Sequence, residues 1–317
     1  MEYKFHDIKF EWTGNFKKAR DLVETCLKDL NYTEGENGIQ IYNHTCIDNL
    51  IDPIVGDFGL DNCLFIKPTG PTAEHFAIDT LGYANSSRLA LDPTEHVAYD
   101  YMYSHLNPTN DMDWRNIKKL IENRANKWDD SILLKWRKAK DIPEDHILII
   151  GQMPDDEVTN GFGFKGHFDR LRMIVDKLID HNIVVKLHPS FKPRGKTKDI
   201  IDGWIQSDID VRTGFESIHD FLPHTRVAII DNSTSGIECL MHQVPIICYG
   251  YPEYHWITKH LQSLTQLREL VNDLSWNTWH FKERANKFIY WYIHDYLCSD
   301  YYTTFRRLNG LLKNKQS

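Results

Sequence analysis

The chain has 317 residues, of which 41% are hydrophobic and 26% charged, with a net charge of −8. That balance fits an ordinary soluble protein long enough for two α/β domains, and it argues against a polycation that coats nucleic acid over its whole surface. A local basic cleft stays open.

No apolar run reaches membrane-spanning length. Met1 to Phe5 has mixed polarity, so no secretory signal is expected and the expected location is cytoplasmic. Cys26, Cys46, Cys63, Cys239, Cys248 and Cys298 form no Cys-x-x-Cys pair, which points to reduced thiols and away from zinc.

In chain order, Phe16 to Leu30 has apolar residues at helical spacing, and Ile39 to Tyr42 alternates like a strand. Cys63 to Lys67 reads as a strand running into the turn Pro68 to Thr72. The stretch that follows holds Glu74, His75 and Asp79 among a few apolar residues. Such a density of titratable groups near a strand end makes these three the candidates for a proton acceptor, with a surface loop as the alternative. Asp113 to Lys140 reads as two helical pieces, and Lys140 to Asp145 as a hinge. Asp111-Met112-Asp113 has the spacing of a metal motif but lies in a polar loop before a helix, so it is read as a cap and no metal is expected.

The second half is more regular. His146 to Gln152 is an apolar strand, followed by a glycine-rich loop (Asn160 to Gly166) and a helix from His167 to His181. The loop has neither a Walker motif nor a dinucleotide fingerprint. Ile183 to Leu187 is a second buried strand, stopping at His188-Pro189. A basic loop with Lys192, Arg194 and Lys196 follows, suited to phosphate or acceptor contacts. Val227 to Ile230 is a third strand; it stops at Asp231-Asn232-Ser233-Thr234-Ser235-Gly236 and leads into a helix with Ile237, Leu240 and Met241 on one face. Val244 to Tyr249 is a fourth, stopping at an aromatic group from Tyr251 to Trp256. Two aromatic helical stretches, Phe281 to Leu297 and Thr303 to Lys313, close the chain.

In a parallel sheet, ligands sit at the carboxyl ends of strands. Ser233, Thr234 and Ser235 at a helix N-terminus would offer hydroxyls and backbone N–H groups to an anion, and His188 could donate to a phosphate or a ribose. Either cluster alone also reads as a helix cap or a strand end; both at successive strand ends favour a phosphate-bearing nucleotide.

The segments Ile149 to Gln152 with Asp155-Asp156, Lys186 to Pro189, Asp231 to Glu238 and Tyr249 to Trp256 resemble, in order and spacing, the capsule-polysaccharide-synthesis family of glycosyltransferases. The resemblance implies a GT-B-like α/β fold of two Rossmann-like domains with a ligand cleft between them. It implies an acceptor-side domain over 1–140, a nucleotide-sugar-binding domain over 141–278, and C-terminal helices (279–317) packed back on the first. The His-Pro and hydroxyl motifs are also similar to those of bacterial sialyltransferase-like enzymes, where they hold the donor nucleotide and its phosphate. That gives donor-binding roles to His188, Ser233, Thr234 and Ser235, with Gln152, Lys186, Glu238 and Tyr249 in the same motifs.

The implied activity is metal-independent glycosyl transfer from a UDP- or CMP-linked sugar, with no further cofactor. The acceptor is a polysaccharide or, by a looser likeness to phage enzymes, a hydroxymethylated pyrimidine in DNA. A CDP-alcohol phosphotransferase and a non-catalytic nucleotide-binding protein are the competing readings.

Overall fold

A computed structural model describes residues 1–6, 14–43, 63–66, 75–76, 115–124, 135–154, 166–297 and 300–314. Glu74, Asp79, Asp111 to Asp113 and the glycine-rich loop through Lys165 lie outside the described residues.

Among the described residues, the strands form two all-parallel sheets. The first contains β1 (Glu2–His6), β2 (Thr33–Glu34), β3 (Ile39–Asn43), β4 (Cys63–Ile66) and β5 (His75–Phe76), in the order β2-β1-β3-β4-β5. Helix α1 (Gly14–Asp29) covers it through Ala19, Val23, Cys26 and Leu27, the apolar stripe expected from the sequence. The strand β1 was not expected; its mixed polarity hides a period-two pattern in which Tyr3 is fully buried.

The second sheet contains β6 (His146–Ile150), β7 (Ile183–Lys186), β8 (Asp210–Arg212), β9 (Thr225–Ile230), β10 (Ile246–Cys248) and β11 (Lys259–His260). Its order is β11-β10-β9-β6-β7-β8. Read from β8, this is the 3-2-1-4-5-6 arrangement of doubly wound nucleotide-binding sheets. The first sheet has the related 2-1-3-4-5 arrangement. The α/β class with two Rossmann-like sheets is therefore as expected from the sequence.

The β-branched runs form central strands because both faces of the second sheet are covered. Leu148, Ile150, Val184, Ala228 and Ile230 face one core, packed by α2 (Arg115–Glu122), α5 (Ile218–Phe221), α6 (Ser235–Met241) and α8 (Trp279–Trp291). Ile147, Ile149, Val185, Val227 and Ile229 face the other, packed by α3 (His167–Lys177), α4 (Lys196–Gln206) and α7 (Leu267–Asn272).

Two expectations change. Residues 135–140 are not helical: Arg137 N–H bonds Phe215 O at 2.7 Å, and Ala139 N–H bonds the Asp220 carboxylate at 2.9 Å. Main-chain groups committed to another segment cannot close helical turns. In addition, Ile117 and Ala139, expected with the first domain, pack into the core of the second sheet. After α8 and a π-helical turn (Tyr292–Tyr296), helix α9 (Tyr301–Asn314) returns to α1, with Leu308 and Leu312 in the cluster that holds Tyr3 and Leu27. No helix among the described residues is long and apolar enough to cross a membrane.

Candidate active site at a strand-order switch

The chain runs from β6 outward through β7 to β8, then returns to the other side of β6 to start β9. The two crossovers leave in opposite directions, so a crevice opens beyond the carboxyl ends of β6 and β9, where doubly wound sheets hold ligands. The residues just past these ends are Gly151-Gln152 and Asp231-Asn232-Ser233.

The two ends are tied by side chains. Gln152 Nε2 donates to Asn232 Oδ1 at 2.6 Å, and Asn232 N–H donates to Gln152 Oε1 at 3.0 Å. Below them lies a fully buried pair: the His167 ring is 2.7 Å from Asp231 through Nδ1, and Gln152 N–H donates to its Nε2 at 3.0 Å. A backbone N–H can only donate, so Nε2 is an acceptor and the ring proton sits on Nδ1, directed at Asp231. Tyr249 backs the imidazole, stacked at 6.5 Å between centroids.

Glycines mark two close approaches. A Cβ on Gly250 would fall 2.3 Å from Asp231 Oδ1, and one on Gly236 would fall 2.0 Å from the Tyr254 ring. That ring is fully buried, and its hydroxyl donates to Ser233 O at 2.5 Å, so Tyr254 holds the first turn of α6 against the loop after β10.

The expected donor residues separate into two groups. His188 and the trio Ser233 to Ser235 share the carboxyl rim, because every strand of this sheet is parallel. They follow β7 and β9, two strand spacings apart, about 10 Å. His188 is half-buried, and its Nδ1 accepts from Ser190 N–H at 3.2 Å. Ser233 Oγ accepts from Ser235 N–H at 3.2 Å. The N–H groups of Gly236 and Ile237 are bonded within the turn, and α6 has only seven residues. The expected row of free helix-end donors is therefore largely consumed locally, leaving the rim its side-chain hydroxyls and amides.

The other group lies beneath the rim. Tyr249 is fully buried and serves the His167 ring. Glu238 is buried with its carboxylate 3.8 Å from His219 Nε2, and His219 shares a 2.8 Å hydrogen bond with His242. Lys186 is buried 5.8 Å from the centre of the Phe221 ring; burial pulls its ammonium down to about 8, against the opposing pull of Glu216 and Glu238. Position on a helix or at a strand end does not reveal which way a side chain turns, and these three turn inward. Lys192 and Arg194 are exposed between His188 and α4, and Lys196 is exposed at the first position of α4. His75 lies in β5, in the first sheet.

The family model for capsule polysaccharide biosynthesis proteins matches residues 86–297, more than half of the chain. The chain belongs to this family. Its match covers Gln152, His167, His188, Asp231 to Glu238 and Glu253, and leaves Glu74, His75 and Asp79 outside.

Among solved structures, the chain is similar to the β-Kdo 2,7-transferase of KpsC from Thermosulfurimonas dismutans, at 15% identity over 85% of this chain and 88% of that one, with a TM-score of 0.44. It is similar to the β-Kdo 2,4-transferase of the same KpsC, at 14% identity over 90% and 89%, with a TM-score of 0.47. A glycosyltransferase from Rickettsia africae aligns at 11% identity over 100% and 98%, with a TM-score of 0.44. A comparison with curated proteins finds no match.

Within this capsule-family chain, sequence reasoning missed the His167–Asp231 pair, and it placed Tyr254 in the aromatic group after β10 without its bond to Ser233. The partners are 64 residues apart, and no local pattern announces them. The one available sign was a histidine at the first position of the helix after the glycine-rich loop.

Proposed function

We propose that this protein transfers a glycosyl group from a nucleotide-sugar donor, UDP- or CMP-linked, to a hydroxyl of a polysaccharide-type acceptor. The observation that carries this reading is the strand-order switch at β6 and β9, where Gln152, Asn232 and Ser233 meet on the same rim as His188. Membership in the capsule polysaccharide biosynthesis family supports the acceptor class.

In this reaction the acceptor oxygen attacks the anomeric carbon, the bond from that carbon to the donor phosphate breaks, and its electron pair goes to the phosphate oxygen. With Nδ1 of His188 accepting from Ser190, the neutral ring carries its proton on Nε2, which would donate to a donor phosphate oxygen. Hydroxyls and amides at the switch would take further oxygens of the nucleotide, and such fixed dipoles stabilise charge on the leaving group. Lys192, Arg194 and Lys196 beside His188 would favour a polyanionic donor or acceptor. The proton acceptor is assigned to Glu74, His75 or Asp79.

The test is a thermal-shift panel of UDP, CMP, CDP, GDP and their sugars. A ligand held at one hundred times its dissociation constant adds about 2.7 kcal/mol of apparent stability. Stabilisation by one nucleotide family, with slow hydrolysis of the matching sugar donor in the absence of acceptor, is the expected result. Stabilisation without hydrolysis or transfer would favour a non-catalytic binding protein. No shift with any nucleotide would overturn the reading.

A further inference from the structure

The amino edge of the second sheet carries a recess that the crevice at the carboxyl rim does not use. It opens where the chain enters β10, at Val244-Pro245-Ile246, and where the strap between β10 and β11 ends, at Ile257-Thr258. The crevice lies beyond the other ends of the same parallel strands, and the three-residue β10 separates the two edges by about 10 Å. The recess holds about 360 Å³ of open space, part of it continuous with solvent.

The start of α8 and the turn before it form an aromatic wall. Trp276 and Phe281 meet there edge to face, 5.9 Å between ring centres. The Trp276 indole N–H donates to Leu270 O at 3.1 Å, which fixes its ring. Trp279, between them in sequence, is 68% exposed. Polar groups line the same space. Asn286 Oδ1 is buried and accepts no hydrogen bond among the described residues. Gln243 and Asn277 add two more side-chain amides that bond nothing among the described residues. A buried acceptor is costly to leave without a donor.

We propose that this recess is a second saccharide-binding site, which holds a sugar unit of the acceptor chain away from the reacting end. The inference rests on the polysaccharide-type acceptor read above and adds a place outside the crevice where that chain is held. The C–H face of a pyranose packs on an aromatic ring, and its hydroxyls both donate and accept, as an amide does. One sugar hydroxyl would donate to Asn286 Oδ1, and the amides of Gln243 and Asn277 would take its neighbours. An acyl chain would leave the Asn286 oxygen without a donor. A nucleotide would call for several phosphate partners, and the one cation among the lining residues is Lys282. Among the described strands, β11 is the last on this side of the sheet, so a chain leaving the recess can follow the sheet edge to the rim. Holding one unit there raises the effective concentration of the chain end at the crevice.

The experiment is saturation-transfer NMR of the full chain with the methyl glycosides of glucose, galactose, N-acetylglucosamine and glucuronic acid. Cyclohexanol, a ring of similar size with a single hydroxyl, is the apolar comparison. At least one glycoside should bind more tightly than cyclohexanol. Asn286→Ala and Gln243→Ala should each raise its dissociation constant about five-fold, while the thermal shift with the preferred nucleotide stays at the wild-type value. Gln243 is exposed, so its variant folds whatever becomes of Asn286→Ala. No glycoside binding, or cyclohexanol as the tightest ligand, overturns the saccharide site. Unchanged glycoside affinity in both variants overturns it too, since the sugar then sits elsewhere. Glycoside binding that responds to these variants in a protein with no nucleotide shift overturns the transferase reading and leaves the recess a sugar site.

Discussion

His167 and Asp231, 64 residues apart in sequence, meet at 2.7 Å with no solvent exposure on either side chain, directly beneath the ends of β6 and β9. The Gln152 N–H fills the other ring nitrogen. One imidazole thus joins the start of α3, the end of β6 and the end of β9. Asp231 Oδ1 has no hydrogen-bond partner among the described residues, so His167 is the visible stabiliser of that carboxylate. Replacing His167 by Ala strands a buried acid and should cost about 3 kcal/mol in urea unfolding. A loss below about 0.5 kcal/mol, the scale of a neutral surface change, would show that the pair does not hold the crevice together.

Gly236 tests the interlock above it. An added methyl would meet the Tyr254 ring at 2.0 Å, and both groups are buried. Gly236→Ala should destabilise by about 3 kcal/mol, at the upper end of overpacking costs. Shortening the obstacle relieves the clash, so Gly236→Ala combined with Tyr254→Leu should cost at least ~1 kcal/mol less than the sum of the single changes. Strict additivity would mean that the ring and the glycine are not the coupled pair.

His188 separates function from folding. It is half-buried on the rim, where its Nδ1 accepts from Ser190 N–H. On the proposed function, His188→Ala should lower kcat/KM about 100-fold, which is ~2.7 kcal/mol of transition-state stabilisation. Unfolding free energy should change by less than about 0.5 kcal/mol. Full turnover in this variant would remove His188 from the donor site.

His242 should shape the acid limb of the stability curve. Burial, with the neighbouring His219, lowers its pKa to about 4 from an unfolded value of 6.5. Between those values the unfolded chain binds the proton and the folded protein does not, so stability is complete above pH 6.5 and declines as the pH falls toward 4. His242→Gln keeps a hydrogen-bonding group opposite His219 and removes that titration. Its stability should be flatter over this window in chemical unfolding at successive pH values. An unchanged slope would assign the acid sensitivity to other groups.

Much of the second half was legible because its strands carry the mark of double burial. His146 to Ile150, Ile183 to Lys186 and the apolar end of β9 are unbroken apolar or β-branched runs with polar stops, and both cores show why. The shared rim of His188 and Ser233 to Ser235 followed from parallelism alone. Lys186, Glu238 and Tyr249 could not be sorted in this way. They occupy motif positions beside rim residues, but packing against Phe221, His219 and His167 turns their side chains inward. The stretch 135–140 carries helix-favouring residues, yet its N–H groups serve Phe215 and Asp220. Tertiary hydrogen bonds overrode propensity there.

The order of apolar runs and polar stops along this chain was enough to determine an α/β protein with polar clusters at its strand ends, since period and punctuation are local properties. Only the tertiary structure decided that β9 returns to the far side of β6, that His167 lies under the resulting crevice, and that Tyr251 stays half-exposed on a strap whose neighbours are buried. Those outcomes depend on contacts between segments far apart in sequence, where sheet order and side-chain direction are chosen by what the whole core can bury at once.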